Sequence, residues 1–157
     1  MAILQTVSIA VLLGAYGFEY IGGLAPCRLC IYQRVPYFLA IFLCAIAWWR
    51  PATTRWISAL LVADFLSGAG LGIYHAGVEW HWWAGPATCS ATGGYAGTAE
   101  QLMAQLLAAP VVLCDKVAWS LFGISLAGYN ALISAGLAVL AAAVFLNGRK
   151  DQNHGRV

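Results

Sequence analysis

The stretch IYQRVPYFLAIFLCAIAWW, residues 31–49, holds one charge, Arg34, about one turn from its start. At ~1.5 Å rise per residue, a helix of this length reaches roughly the thickness of a bilayer's hydrocarbon core. We read it as a membrane span. Three further apolar stretches match it: residues 2–20, with Glu19 near the far end; residues 56–75, containing Asp64; and residues 120–146, without a charge. The last is longer than a crossing needs, which predicts tilt or an interfacial lead-in. The predicted fold is therefore an all-α membrane protein, a four-transmembrane-helix bundle forming one domain.

Composition points the same way. Hydrophobic residues make up 62% of the 157 residues, charged residues 9%, and mean hydropathy is +0.77. A soluble domain carries about 25% charged residues. A surface with so few charges needs lipid around it. The net charge is +2 and the basic residues are scattered, so no stripe exists to track phosphates, and nucleic acid is not an expected partner. No Lys or Arg precedes the apolar run that begins at Ala2. A secretory signal needs such a basic region, so the run is expected to stay as a helix.

Four spans place both termini and the loop between spans two and three on one side. That side carries Arg50, Arg55, Arg149, Lys150 and Arg156; the other carries Arg28, Arg34 and Lys116. The bias predicts cytoplasmic termini, with the other two loops on the opposite side of the membrane. Trp48, Trp49 and Trp56 fit an aromatic belt at one face, and Trp80, Trp82 and Trp83 a belt at the other. The tail, residues 147–157, is polar and expected to fray.

The two far-side loops span residues 21–30 and 78–118. In the longer one, Gly93, Gly94 and Gly97 predict a break in regular structure. Thr98 then reads as an N-cap, with Gln101 closing a capping box. Leu102, Met103, Leu106 and Leu107 follow at helical spacing before Pro110. This predicts a short amphipathic helix, lying on the membrane surface or covering the bundle's end.

The chemistry lies in the cysteines. Cys27 and Cys30 occupy the short far-side loop, Cys89 and Cys114 the long one. Both pairs thus face one compartment, and charge bias makes it the oxidising one. Cys27-Arg28-Leu29-Cys30 opens the second span behind Pro26, a residue suited to a helix start. A thiolate at a helix N-terminus is stabilised, and Arg28 and Arg34 add positive charge. A disulfide across so small a ring is expected to be readily reduced. Zinc binding and a structural disulfide are the bland alternatives for this motif. Between Cys89 and Cys114 lie 24 residues. Joining them would stabilise by roughly 3–4 kcal/mol in the chain-entropy model. The glycines nearby instead suggest a disulfide free to meet both a partner and the CxxC pair. Cys44, in mid-span without a partner at useful spacing, reads as a buried apolar residue.

Arg34 follows Cys30 by four residues, on the same helix face. An arginine this close to hydrocarbon either snorkels or has a task. The task it suits is to donate to the carbonyl oxygen of a lipid-soluble electron acceptor that gains negative charge on reduction. Quinones meet that description. His75, at the end of the third span, is a candidate for the second quinone oxygen or for a proton relay. Glu79 and His81 are weaker candidates. Asp64 has no assigned use.

The run Pro26-Cys27-Arg28-Leu29-Cys30-Ile31-Tyr32-Gln33-Arg34 resembles the signature of the disulfide-bond formation protein B family. Tyr74-His75 and Gly85-Pro86-Ala87-Thr88-Cys89 match its style, and the resemblance covers most of the chain. It implies an enzyme that reoxidises a periplasmic thioredoxin-fold thiol oxidase (DsbA-like) and passes the electrons to membrane quinone. Ubiquinone is the expected acceptor, with menaquinone as the alternative. By the same resemblance, the partner would attack Cys89, the released Cys114 would attack Cys27, and Cys30 would face the quinone beside Arg34. Arg28 within the motif is a departure able to shift the thiol potential, where ~30 mV changes the equilibrium tenfold.

Two other readings stand beside this one. A specialised relative would serve one dedicated thiol partner. A non-catalytic membrane protein would hold zinc with Cys27, Cys30, Cys89 and His81, although no resident metal is expected under the redox reading. A small transporter lacks support, because no broken helix pair or internal symmetry is visible.

Overall fold

The computed structural model describes residues 1–86 and 113–154, with side chains as far as residue 148. Four helices dominate it: α1 (Ala2–Tyr20), α2 (Arg28–Trp49), α3 (Thr54–Glu79) and α4 (Leu126–His154). A 3₁₀ turn, Pro51–Thr53, joins α2 to α3. A small antiparallel hairpin, β1 (Ser120–Leu121) and β2 (Ile124–Ser125), leads into α4. Each of the four helices is long and apolar enough to cross a membrane. The expected surface helix at residues 98–107 and Cys89 lie outside the described residues.

Several boundaries differ from the sequence reading, each for a local reason. Helix α2 starts at Arg28 instead of 31 because Cys27 caps it; its sulfur accepts the Cys30 backbone N–H at 3.2 Å. Helix α3 continues one turn past residue 75, since Ala76, Gly77 and Val78 are buried in the bundle. His75 is therefore inside the helix and not at its end. Helix α4 starts at residue 126, not 120. Phe122 and Gly123 have φ of 50° and 78°, which suits a tight hairpin turn and no right-handed helix. The polar tail expected to fray is helical to His154.

Helix α3 makes the most extensive contact, against α4, followed by α2–α3 and α1–α2. Small residues allow this approach. A Cβ on Gly72 would lie 2.8 Å from the Ala131 backbone nitrogen. One turn earlier, Gly68 faces Ser134 Oγ and the Pro36 ring. Close approach of this kind replaces the hydrophobic drive that lipid cannot supply. The main core is built from Leu4 and Leu12 of α1, Tyr37 and Cys44 of α2, Leu61 and Phe65 of α3, and Leu137 of α4. Cys44 is fully buried there, as its apolar reading expects. Large apolar side chains such as Leu13, Phe42, Leu60 and Val139 point outward, as a lipid-facing surface requires. Trp49 and Trp56 are exposed at one end of the bundle, and Trp80 and Trp82 at the other.

Substituting Gly72 with Ala forces α3 and α4 apart. Overpacking of this kind costs about 1–3 kcal/mol. Thermal unfolding in detergent should show a lower Tm for Gly72→Ala. A Cβ on Gly70 would meet nothing within 4 Å, so this position serves as the control, and Gly70→Ala should leave Tm unchanged or raise it. Equal effects at both positions would contradict the packing described.

Candidate redox site

One end of the bundle gathers the start of α2, the last turns of α3 and the residues leading into α4. Cys27, Leu29, Val78 and Cys114 form a second buried cluster there, with Cys30 and Tyr74 packed against it. Cys114 comes from a segment more than 80 residues downstream of Cys27 and is 1% exposed. The structure thus brings three of the four expected redox cysteines together.

The two thiols of the motif do different jobs in this geometry. Cys27 Sγ donates to Cys30 Sγ at 2.9 Å. That hydrogen bond, with burial, pushes the Cys27 thiol far above its usual range. Cys27 is therefore the thiol of the pair that holds its proton more firmly. Cys27 faces the interior cluster. Cys30 opens on a cavity of about 390 Å³.

That cavity lies between α1, α2 and the start of α4. Its walls are mostly apolar, with Phe18, Leu24, Trp119 and Leu126 among them. Cys30, Gln33, Arg34 and Tyr37 line it along one face of α2. Arg34 does not simply point into the cavity unpartnered. Its Nη1 donates to Glu19 Oε2 at 2.6 Å, and its guanidinium lies 4.8 Å from the centre of the Tyr16 ring. Both contacts hold the cation at the cavity wall and leave further N–H groups of the fork for a ligand. Glu19 is a partner of Arg34 that the sequence reading places only as the end of a span. Its pairing across 15 residues of loop and helix carries no local signal.

His75 does not line the cavity. It is 2% exposed and sits on the Cys27 side, where its Nε2 is 3.5 Å from Cys27 Sγ. Gln33 Nε2 donates to His75 Nδ1 at 2.7 Å, so the neutral ring carries its proton on Nε2, toward Cys27. Glu79 Oε1 is 3.9 Å from the same Nε2. His75 sits within α3, one turn before its end, on the side packed against the start of α2. Gln33, quoted only as part of a motif, is thus the link between the cavity and the histidine.

Sγ of Cys27, Sγ of Cys30 and Nε2 of His75 all lie within 4.8 Å of one another, close enough to hold a metal ion together. The histidine that joins the thiols is His75. His81, expected in that role, lies in the exposed turn after α3 at φ 60°. Asp64 remains without a mechanistic part; its Oδ2 is buried with no hydrogen-bond partner among the described residues.

The family model described as "Disulfide bond formation protein DsbB" matches residues 1–144. The chain is 33% identical over 134 residues to the uncharacterized protein RP370 of Rickettsia prowazekii, covering 84% of this chain and 78% of that one. It is 28% identical over 153 residues to the disulfide bond formation protein B of Verminephrobacter eiseniae, covering 94% and 85%. No solved structure matches it significantly.

The asymmetry of the thiol pair has a direct readout. In the reduced protein near pH 8, iodoacetamide should modify Cys30 at least roughly tenfold faster than Cys27, because only the thiolate reacts. Peptide mass spectrometry over a time course measures both. Cys27 reacting as fast as Cys30 would refute the assignment of the proton.

Proposed function

The chain belongs to the disulfide bond formation protein DsbB family, and from that premise we propose that it oxidises a periplasmic thioredoxin-fold thiol oxidase and delivers the electrons to membrane quinone. It is a multi-pass membrane protein. Under this reading it lies in the bacterial inner membrane with cytoplasmic termini and periplasmic redox loops. The observation that carries the reading is the placement of the motif's two sulfurs. Cys27 adjoins Cys114 in a buried cluster, while Cys30 opens on an apolar cavity beside Arg34.

The proposed sequence has the reduced partner attack Cys89 and form a mixed disulfide. Cys114 leaves as a thiolate and attacks Cys27, and Cys30 then leaves as a thiolate facing the cavity. Each exchange conserves one disulfide and passes on one pair of electrons. His75 Nε2–H and the Cys30 backbone N–H both point at Cys27 Sγ, which positions it for attack. The residues around the cavity suit a quinone: apolar walls, a guanidinium held by Glu19, and a buried amide N–H of Asn130 with no partner among the described residues. A bound quinone would supply the two-electron acceptor. The partner's second thiol displaces Cys89, and the partner leaves oxidised. Cys89 recaptures Cys114 and frees Cys27. The two electrons and two protons released as Cys27 and Cys30 rejoin would pass to a quinone at the cavity. Ubiquinone is the preferred acceptor in this proposal and menaquinone the alternative.

Purified protein, a reduced thioredoxin-fold oxidase and a soluble quinone test this. Quinone reduction should occur, and should stop in Cys30→Ser and in Cys89→Ser. Arg34→Ala should weaken quinone use far more than it slows partner oxidation in a single turnover. An equal loss in both would remove the quinone from this cavity. Full turnover in every variant would remove the mechanism.

The Cys27, Cys30 and His75 cluster supports a second reading, a non-catalytic metal-binding protein. Metal analysis of the purified chain separates the two. The redox reading expects no stoichiometric zinc; one zinc per chain on permanently reduced thiols would select the alternative.

A further inference from the structure

A para-quinone carries two carbonyl oxygens on opposite edges of its ring, and both only accept hydrogen bonds. Arg34 offers a donor for one. His75, the donor expected from sequence for the other, lies outside the cavity, behind Gln33. The described cavity wall has another candidate on a different helix.

Asn130 of α4 lines the same cavity as Cys30 and Arg34. Its orientation is fixed by its oxygen. Tyr37 Oη donates to Asn130 Oδ1 at 2.6 Å, and the same hydroxyl is 2.9 Å from Ser134 Oγ. With Oδ1 taken by Tyr37, the amide nitrogen remains to be paired. That nitrogen, Nδ2, is buried and has no hydrogen-bond partner among the described residues. A buried donor left unmade is costly and uncommon, and it calls for an explanation. A ligand acceptor in the cavity supplies one. Cys30 and Tyr37 stand seven residues apart on α2, ~10 Å along its axis, so the cavity is long enough for a ring between the thiol and the Tyr37–Asn130 pair.

We propose that Asn130 is the second carbonyl donor of the acceptor site, its Nδ2–H hydrogen-bonding the quinone oxygen remote from Arg34. The inference rests on the quinone reading given above. It makes Asn130 a specificity residue that favours a ring with two carbonyls over a ring with one. Tyr37 is the positioning residue that presents the amide. The hydrogen bond is neutral and needs no proton movement, so it survives reduction of that oxygen to a hydroxyl.

The test is equilibrium binding to the oxidised full-length protein in detergent, which needs no turnover. A short-chain 1,4-benzoquinone is titrated by quenching of tryptophan emission, to which Trp119 at the cavity wall contributes. A matching ring with a single carbonyl is measured by displacement of that quinone. Asn130→Leu should weaken the quinone about tenfold, the scale of one lost hydrogen bond, and the one-carbonyl ring less than about twofold. Asn130→Asp, which keeps the Tyr37 contact and removes the amide, provides the second variant should the leucine protein fold poorly by circular dichroism. Unchanged quinone affinity in a folded variant overturns the role of Asn130 alone. An equal loss for both rings also overturns it, because it would reflect shape and not a donor. Failure of the unaltered protein to bind the quinone overturns the quinone reading as well.

Discussion

The sulfur of Cys27 is both a helix cap and half of the CxxC pair. It accepts the Cys30 backbone N–H, which would otherwise be one of the orphan donors at the start of α2. It also donates a hydrogen bond to Cys30 Sγ. The same atom thus fixes where the helix begins and which of the two sulfurs is left to react. Every other feature of the site takes its position from that start: Gln33, Arg34 and Tyr37 follow at helical spacing and line one cavity.

The remainder of the bundle supports this end of α2 from three directions. Helix α3 carries His75 and Glu79 to the Cys27 side, helped by the close approach of α3 to α4 at Gly72. Helix α1 brings Glu19 to the guanidinium of Arg34. The segment ahead of α4 adds Cys114 to the buried cluster and Trp119 to the cavity wall. An intramembrane arginine is costly unless paired, so the ion pair and the stacked tyrosine account for how α2 tolerates it. The outcome is a site with two faces, a buried sulfur cluster and an apolar cavity, separated by one CxxC.

Much of this was legible in residues alone. A polar residue is expensive in hydrocarbon, so span content follows from composition, and the four long apolar helices are those expected. CxxC at a helix mouth and Arg34 one turn on follow from spacing. The ends of the helices were less legible. Residues 76–79 look like loop but pack as helix, and residues 120–125 look like span but form a hairpin, because Phe122 and Gly123 adopt positive φ. Such outcomes depend on neighbours that a local pattern does not contain.

By itself the sequence determined the apolar composition, the number of long apolar helices and the CxxC motif at the mouth of the second. Those depend on transfer free energy and on sulfur reactivity, which are properties of residue types. Only the tertiary structure decided which partner each polar group meets. It set His75 against Cys27 and off the cavity wall, joined Arg34 to Glu19, and placed Asn130 on the cavity. The contacts Arg34–Glu19, Cys27–His75 and Tyr37–Asn130 link residues 15, 48 and 93 positions apart, and only packing geometry brings them within hydrogen-bonding distance.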